Sequence, residues 1–524
     1  MEQQKPEHWG FSAVMKTVAE HGNIEEYTCA SGITPSGVVH IGNVREYITV
    51  DIVRRAFKYS GKNARHIHSW DDFDVFRKVP KNMPEQGMLE RHLRMCIVDV
   101  PDPYGEYESY AMRHIRDVED SVRKIGIAPA YLYQSRKYRN CEYADEIKKA
   151  LESTQKIAEI LNRHRSEDIK EGWLPVSIFC GKCKRDTIKN IAYPGGYELE
   201  YECECGWKEK FDFRNNGIVK LKWRVDWPMR WAYEKVNFEP GGRDHSTVGG
   251  SYDTGKQIIE EVWGRRAPTY IVYEFIKIKG MSGKMSSSKG NIATLNDCLE
   301  VYEPEVVRYL FAGTRPEAEF DISFDADVIK IYEDYDRCER AYYGLEETGK
   351  REKEKWVYIF SQVNDDVGSI PKEMPFRVGF RHITTILQIN GLDEGRAYAH
   401  LSKGAKSEND RARLRARIRC AKNWLSKYAD EQFKFSMRTA KVGKDEFTQD
   451  EFAVLAEVRK AILESADEDG LASRLFAIPK GRGMEQKDFF KLCYRAIIGK
   501  DRGPKLAGFI MDIGKEKVAD ILPE

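Results

Sequence analysis

The sequence is short of several things, and each shortage removes a class of protein. No run of about 18 apolar residues occurs in its 524 residues, so no membrane-spanning helix is predicted. The opening MEQQKPEHWG lacks the apolar core of a signal peptide. Charge of one sign is missing too: 85 Lys and Arg against 84 Asp and Glu leave a formal net charge of +1. A chain without a global excess of cations can hold nucleic acid only through local patches. Internal repeats and long low-complexity segments are also absent. The 11 cysteines are an odd number and most are scattered singly. Without an export signal, that argues against a disulfide framework and for reduced thiols in the cytoplasm. The length suits roughly two to four domains around a large core.

What is present begins with residues 27–59, YTCASGITPSGVVHIGNVREYITVDIVRRAFKY. They read as a strand, a turn and a helix whose apolar stripe is Val44, Ile48, Ile52, Val53, Ala56 and Phe57. Gly42 lets a ligand lie against the backbone, and the free N–H groups of a helix start favour phosphate. His40 and Asn43 share the first turn and can aim donors at that phosphate. The plainer alternative is an ordinary strand-turn-helix unit with a capping Asn and a solvated His. Residues 62–74, KNARHIHSWDDFD, predict a second strand ending in Asp71, Asp72 and Asp74. Strand, helix, strand is a parallel crossover unit, and ligands of such sheets sit beyond the carboxyl ends of the strands. The alternative for the acidic cluster is a solvated turn or a helix cap.

Helices are predicted over 107–123 and 143–162. Between 171 and 215 the character changes to short aromatic strands carrying Cys180-Gly-Lys-Cys183 and Cys203-Glu-Cys205. Two such pairs can converge four thiolates on zinc, with no open position and hence a structural role. The single residue between the second pair is the less usual spacing. VKLKWRVDWPMRW, 219–231, surrounds Asp226 with tryptophan, and Pro228 excludes a continuous central strand. Aromatic faces beside a carboxylate can hold an organic cation; a plain aromatic core segment is the alternative. A Gly-rich turn with Asp244 and His245 precedes a helix near Ser251, and 268–278 reads as a buried strand. KGMSGKMSSSKGN follows at 279–291, where Lys284 and Lys289 can neutralise a triphosphate. From about 325 the pattern is helical. Residues 411–427, RARLRARIRCAKNWLSK, carry seven basic and no acidic residues beside a stripe of Leu414, Ile418, Ala421 and Leu425. That helix can contact a phosphate backbone, or pair with acidic neighbours such as the DEDGL segment.

PSGVVHIGN and, far downstream, GKMSSSKGN resemble the paired HIGH and KMSKS signatures of class I aminoacyl-tRNA synthetases. The wider blocks ASGITPSGVVHIGN, HSWDDFDVFRKVP, KWRVDWPMRWA, GRDHSTVGGSYDTG and YRAIIGKDRGPKLAGFI resemble the class I lysyl-tRNA synthetases. The resemblance implies an α/β fold: a doubly wound parallel Rossmann-type domain with a zinc-binding β-rich insertion, then an all-α C-terminal domain. It divides the chain at 1–100 and 219–300 for the two catalytic halves, 101–218 for the insertion with its four-cysteine zinc site, 301–345 for a connecting helical element and 346–524 for the anticodon-binding helices.

It further implies His40, Asn43 and Lys284 as catalytic groups, with Asn43 where the signature more often has a second His. ATP would be held by these three together with Pro35, Gly37, Gly42, Asp244, Ser286, Ser287, Ser288 and Lys289; Ser287 stands where the second loop lysine is usual. Gly32, Thr34, Asp72, Trp223, Asp226, Trp227, His245, Tyr273 and Glu274 are the expected amino-acid-binding set, since an ε-ammonium demands a carboxylate when desolvated. Cys180, Cys183, Cys203 and Cys205 are expected to hold one Zn2+. A second metal site of the family, after its VPDP motif, is not expected here, because Glu106, Tyr107 and Arg113 stand at its ligand positions. Substrates and partners would be L-lysine, ATP with Mg2+, and tRNA(Lys), with no membrane and no obligate protein partner. The alternatives are a class I synthetase for another amino acid such as glutamate, or a non-catalytic tRNA-binding paralogue.

Overall fold

The segment read first from the sequence builds the middle of a parallel sheet. β1 (Glu26–Ile33) is buried from Tyr27 to Ser31, as a strand covered on both faces must be. The computed structural model describes residues 7–81, 83–280 and 292–524. These fall into two units: 1–299, 304–322 and 337–372 in the first, and 300–303, 323–336 and 373–524 in the second.

In the first unit β1 is followed by β2 (Asn63–Trp70) and β3 (Ala130–Tyr133). An insertion then contributes β4 (Val176–Ile178), β5 (Ile188–Gly195), β6 (Glu198–Cys203), β7 (Lys208–Asp212) and β8 (Val219–Leu221), after which β9 (Val236–Gly242) and β10 (Thr269–Tyr273) return to the sheet. The sheet runs β10-β9-β1-β2-β3 with every neighbour parallel. Its order reverses between β1 and β9, so the crevice beyond their carboxyl ends is where a ligand is expected. In the insertion β5, β6 and β7 form an antiparallel meander and β4 pairs with β8. β11 (Ile276–Ile278) and β12 (Phe320–Ile322) make a separate parallel pair.

α1 (Trp9–His21) and α2 (Ile41–Tyr59) are the first two helices. The apolar stripe of α2 is buried as its period requires, but so are Arg45, Glu46, Tyr47, Thr49, Asp51 and Arg55 from its other sides. The helix is therefore enclosed over most of its surface, and most of its buried charged residues are paired rather than hydrated. Asp51 meets Arg55 at 2.8 Å and Arg308 at 2.7 Å. Burial works to raise the Asp51 carboxyl, and the arginines hold it well below the usual carboxylate range.

Two element predictions need correction, and the segment from which Pro228 excluded a strand gains its structure. Residues 223–233 form a helix, Trp223–Tyr233, with Pro228 inside it; the proline that forbids a strand did not forbid a helix. The single strand expected over 268–278 is two, β10 and β11, and most of its residues are only half-buried. The helix expected over 143–162 is Ala144–Glu152 and Thr154–Asn162, with Ser153 between them.

The second unit is helical, as the sequence pattern predicts. Its basic helix spans Glu408–Lys427 and buries Leu414, Ile418, Ala421 and Leu425 as expected. Arg417, however, is buried with them and bonds Glu303 at 2.6 Å and Asp336 at 2.8 Å. Arg411 and Arg415 pair with Glu408, Lys422 with Glu394 and Lys427 with Glu300. Acidic neighbours thus absorb much of this helix's charge, and they are not those of the DEDGL segment.

Candidate active site

The head of α2 is closed by a capping box in which the side chains of His40 and Asn43 each accept the other's backbone N–H. His40 takes the N-cap position in an extended conformation, and Asn43 Oδ1 accepts the His40 N–H at 3.3 Å. With its oxygen so used, the Asn43 side chain offers its NH2 group to a ligand. The Ile41 N–H donates to the Ala293 carbonyl at 2.8 Å, which brings the chain just beyond residue 291 to the same point. A cavity of about 560 Å³ opens here, walled by Thr34, Ser36, Gly37, His40 and Asn43 and, from after β2, by Arg77 and Lys78. Pro35 is buried in the turn, and Tyr110 fixes that turn by donating its hydroxyl to the Ser36 carbonyl at 3.1 Å. Two cations and a helix start facing one cavity suit a polyphosphate. Lys284, Ser286, Ser287, Ser288 and Lys289 lie outside the described residues.

A second group of residues gathers at the crevice between β1 and β9. Glu46 reaches from α2 and accepts the Gly32 N–H at 2.6 Å on one oxygen and the Tyr273 hydroxyl at 2.6 Å on the other. It therefore spans the carboxyl ends of β1 and β10, across β9. Burial pushes the Glu46 carboxyl up to about 8, with Glu239 and Asp71 adding like charge. Among the described residues no cation pairs with it. Glu239 on β9 is similarly buried, accepts the indole N–H groups of Trp227 at 3.0 Å and Trp231 at 2.6 Å, and is pushed up to about 7.

The other expected amino-acid contacts divide in two. Trp223 and Trp227 stack at 5.1 Å, and His245 lies 6.0 and 5.7 Å from their rings, so these three form one aromatic wall. The carboxylates, by contrast, are engaged inside the protein. Asp72 accepts both the backbone N–H and the hydroxyl of Ser135, at 2.7 and 2.5 Å, and burial raises it to about 6. Asp226 takes the Tyr138 hydroxyl and Arg230 at 2.9 Å, and Arg230 also holds Asp71 at 2.5 Å. Asp74 is tied to Lys220, which holds it below its ordinary value against the upward push of burial. Glu274 meets Arg243 at 3.1 Å. Asp244 lies in a single 3-10 turn after β9, Arg243–His245. Glu46, Glu239, Arg77 and Lys78 were not singled out from the sequence. The only signal for the last two was their place in the block HSWDDFDVFRKVP.

The four sulfurs of Cys180, Cys183, Cys203 and Cys205 lie within 4.8 Å of one another. Zn–S bonds of about 2.3 Å in a tetrahedron put sulfurs roughly 3.8 Å apart; here Cys180 and Cys205 are 3.8 Å apart and Cys183 and Cys203 3.6 Å. Each pair sits on a tight turn closed by a left-handed residue, Lys184 at φ 61° and Gly206 at φ 81°. The cluster fits a metal ion. Replacing Cys180 or Cys183 by Ser is expected to lower bound metal to well below one ion per chain and to lower the midpoint of thermal unfolding; unchanged metal content would remove the site. After the VPDP motif, Arg113 bonds Asp102 at 2.6 Å and Glu106 at 2.7 Å and lies over the Tyr104 and Tyr107 rings, so a guanidinium fills that segment.

The geometry is thus a phosphate-binding helix start beside an acidic, aromatic crevice. A family model described as class I (K) tRNA synthetases matches residues 7–364. The chain belongs to the class I (K) tRNA synthetases. Curated relatives of this synthetase run its full length. One from Borrelia garinii subsp. bavariensis, named lysine–tRNA ligase, is 44% identical and covers 99% of each chain. Relatives of the same name from Treponema pallidum and Thermococcus kodakarensis are 43% and 41% identical, covering 99% and 98% of each chain. The Rossmann-type sheet, the helical C-terminal region and the four-cysteine cluster expected of a class I synthetase are all present.

Proposed function

We propose that the protein ligates L-lysine to tRNA(Lys) at the expense of ATP, through a lysyl-adenylate. The observation that carries the choice of lysine is Glu46, a buried carboxyl without a cation partner among the described residues, which burial keeps protonated until an ammonium beside it favours the carboxylate. Such a site attracts an ammonium and repels the side chain of glutamate, which disfavours the glutamate-charging alternative within the class. Glu46 is assigned to the ε-ammonium, and Trp223, Trp227 and Tyr273 to the methylene stem. Asp72 and Asp226 then support the pocket rather than the ligand, since each already has an internal partner, whereas Glu274 meets an exposed arginine on one oxygen and is assigned no contact with the lysine.

The reaction needs no enzyme nucleophile. The lysine carboxylate attacks the α-phosphorus of ATP and pyrophosphate leaves; a hydroxyl of the tRNA terminal ribose then attacks the lysyl carbonyl and AMP leaves. What the chain supplies is position and charge: His40, the Asn43 amide, Arg77 and Lys78 face the phosphates, and Lys284 joins them from the KMSSSKG segment. Mg2+ would ride on the triphosphate oxygens and neutralise charge there; no side chain is assigned to it. The four-cysteine cluster is assigned one structural Zn2+ that closes the insertion. The described residues contain no helix long and apolar enough to cross a membrane. We place the reaction in the cytoplasm on the strength of the cysteines, none of which is in a disulfide among the described residues.

ATP–pyrophosphate exchange with each amino acid in turn, with and without bulk tRNA, tests the reading. Lysine alone should support exchange. Exchange with glutamate, or with none of the amino acids in the presence of tRNA, would overturn it.

A further inference from the structure

One buried cation of the first unit has no part in the phosphate and ammonium contacts assigned above. Arg45, on α2, is 2% exposed, and its donors go to carbonyl oxygens rather than to a carboxylate. One terminal nitrogen donates to the Glu274 carbonyl at 2.7 Å; the other donates to the carbonyls of Arg315 at 2.9 Å and Ala318 at 2.7 Å. The Phe320 ring lies against the guanidinium, 5.2 Å from its carbon. Burial pushes Arg45 down to about 10, so it keeps its charge at neutral pH. A buried charge is costly unless its hydrogen bonds are met, and an apolar side chain would fill the same space more cheaply. What a guanidinium adds is a planar fork that can bond two chain segments at once.

The two segments meet at the edge of the crevice. One is the junction of β10 and β11, residues 273–275, which carries Tyr273. The other is the turn 315–318 ahead of β12, closed by the Ala318 N–H on the Arg315 carbonyl at 3.0 Å. The Glu274 N–H donates to the Pro316 carbonyl at 2.9 Å, so junction and turn are bonded to each other and Arg45 spans both. Its neighbour Glu46 accepts the Tyr273 hydroxyl at 2.6 Å. Two consecutive residues of α2 thus hold one junction, Glu46 by the Tyr273 side chain and Arg45 by the Glu274 backbone. The Glu274 side chain in turn meets Arg243, which opens the 3-10 turn of Asp244 and His245.

We propose that Arg45 is a positioning residue for the amino acid: by holding the Glu274 carbonyl and the 315–318 turn against α2, it sets where Tyr273 stands along the methylene stem of the lysine. The inference rests on the reading of Glu46 and Tyr273 as the lysine pocket, and adds what keeps the far wall of that pocket in register with α2.

The test is lysine-dependent pyrophosphate exchange by the full chain, with competent sites counted from the adenylate formed in a single turnover. Arg45→Lys keeps the charge but cannot span two segments. It is expected to raise KM for lysine roughly tenfold, with kcat per competent site changed far less, and Arg45→Met is expected to raise it further. A merely structural role would lower the number of competent sites and the unfolding midpoint, and leave KM native in the enzyme that remains. In a Tyr273→Ala background the wall is gone, so Arg45→Lys should add little to the KM of that variant. Should neither Arg45 variant fold, Phe320→Leu carries the test: it removes the aromatic face from the guanidinium and should raise the same KM by a smaller factor. A native lysine KM in the Arg45→Lys enzyme, or in Phe320→Leu where that enzyme does not fold, would overturn the inference, as would factors that simply multiply in the double variant. A native lysine KM in Tyr273→Ala, or no lysine-dependent exchange by the native protein, would instead overturn the reading beneath it.

Discussion

Glu46→Gln is expected to lower kcat/KM for lysine at least a hundredfold, nearly all of it through KM. The glutamine keeps the size of the side chain and can still accept from the Gly32 N–H or the Tyr273 hydroxyl, both now 2.6 Å from the carboxylate. What it lacks is the charge that a desolvated ammonium needs. Removing one partner of a buried ion pair costs about 3–5 kcal/mol, and each factor of ten is about 1.4 kcal/mol.

The pH dependence carries a sign that a merely structural role would not give. Burial raises the Glu46 carboxyl from 4.5 to about 8, so in the free protein at neutral pH it is mostly protonated. Lysine's ε-ammonium, with a pKa of about 10.4, stays charged throughout that range. Binding must therefore displace a proton from Glu46, and kcat/KM for lysine should rise with pH and level off above about 8. In Glu46→Gln that rise should vanish. The same shift favours the protonated folded state, so the contribution of Glu46 to stability is full below 4.5 and lost as pH rises through about 8. Steady-state exchange kinetics at a series of pH values would decide it: an unchanged lysine KM with the native profile would exclude Glu46 from the pocket.

Glu46 shows what the sequence could and could not reveal. The order of strand, HIGH-type turn and helix was legible because period and turn chemistry are local. So was the metal cluster, because two cysteine pairs announce themselves by spacing. The polar side of α2 was not. An amphipathic pattern assigns Arg45, Glu46, Asp51 and Arg55 to solvent, and only the tertiary fold, which covers most of α2, turns them into buried partners. The same limit explains Asp72 and Asp226. Their positions at a strand end and among tryptophans suit a ligand, but Ser135 and Tyr138, which engage them, are remote in sequence, and Arg230, one turn along the helix from Asp226, could equally have faced away. Arg417 repeats the lesson in the second unit, where a basic helix that could serve a phosphate backbone or acidic neighbours spends a guanidinium on Glu303 and Asp336. Charge type was readable; charge partner was not.

His40→Ala is expected to slow lysyl-adenylate formation by about 10²–10³-fold, the usual cost of deleting one donor aimed at developing charge. The fold around it should lose little, because the bond from the His40 backbone N–H to Asn43 Oδ1 remains when the reciprocal capping-box contact of the imidazole with the Asn43 backbone N–H is removed. Asn43 makes the complementary case. Asn43→Asp keeps an oxygen for that backbone bond while replacing the NH2 end by a carboxylate oxygen that repels phosphate. It should be at least as inactive as His40→Ala and as well folded. Asn43→Ala loses both the cap and the donor and should be less stable as well. Pyrophosphate exchange, tRNA affinity and thermal unfolding measured together on the three variants separate these effects: exchange should collapse in all three, tRNA affinity should hold in all three, and Asn43→Ala should unfold earliest. Native exchange in His40→Ala would take the imidazole out of the reaction, and native exchange in Asn43→Asp would mean that the α2 head does not meet the phosphates at all.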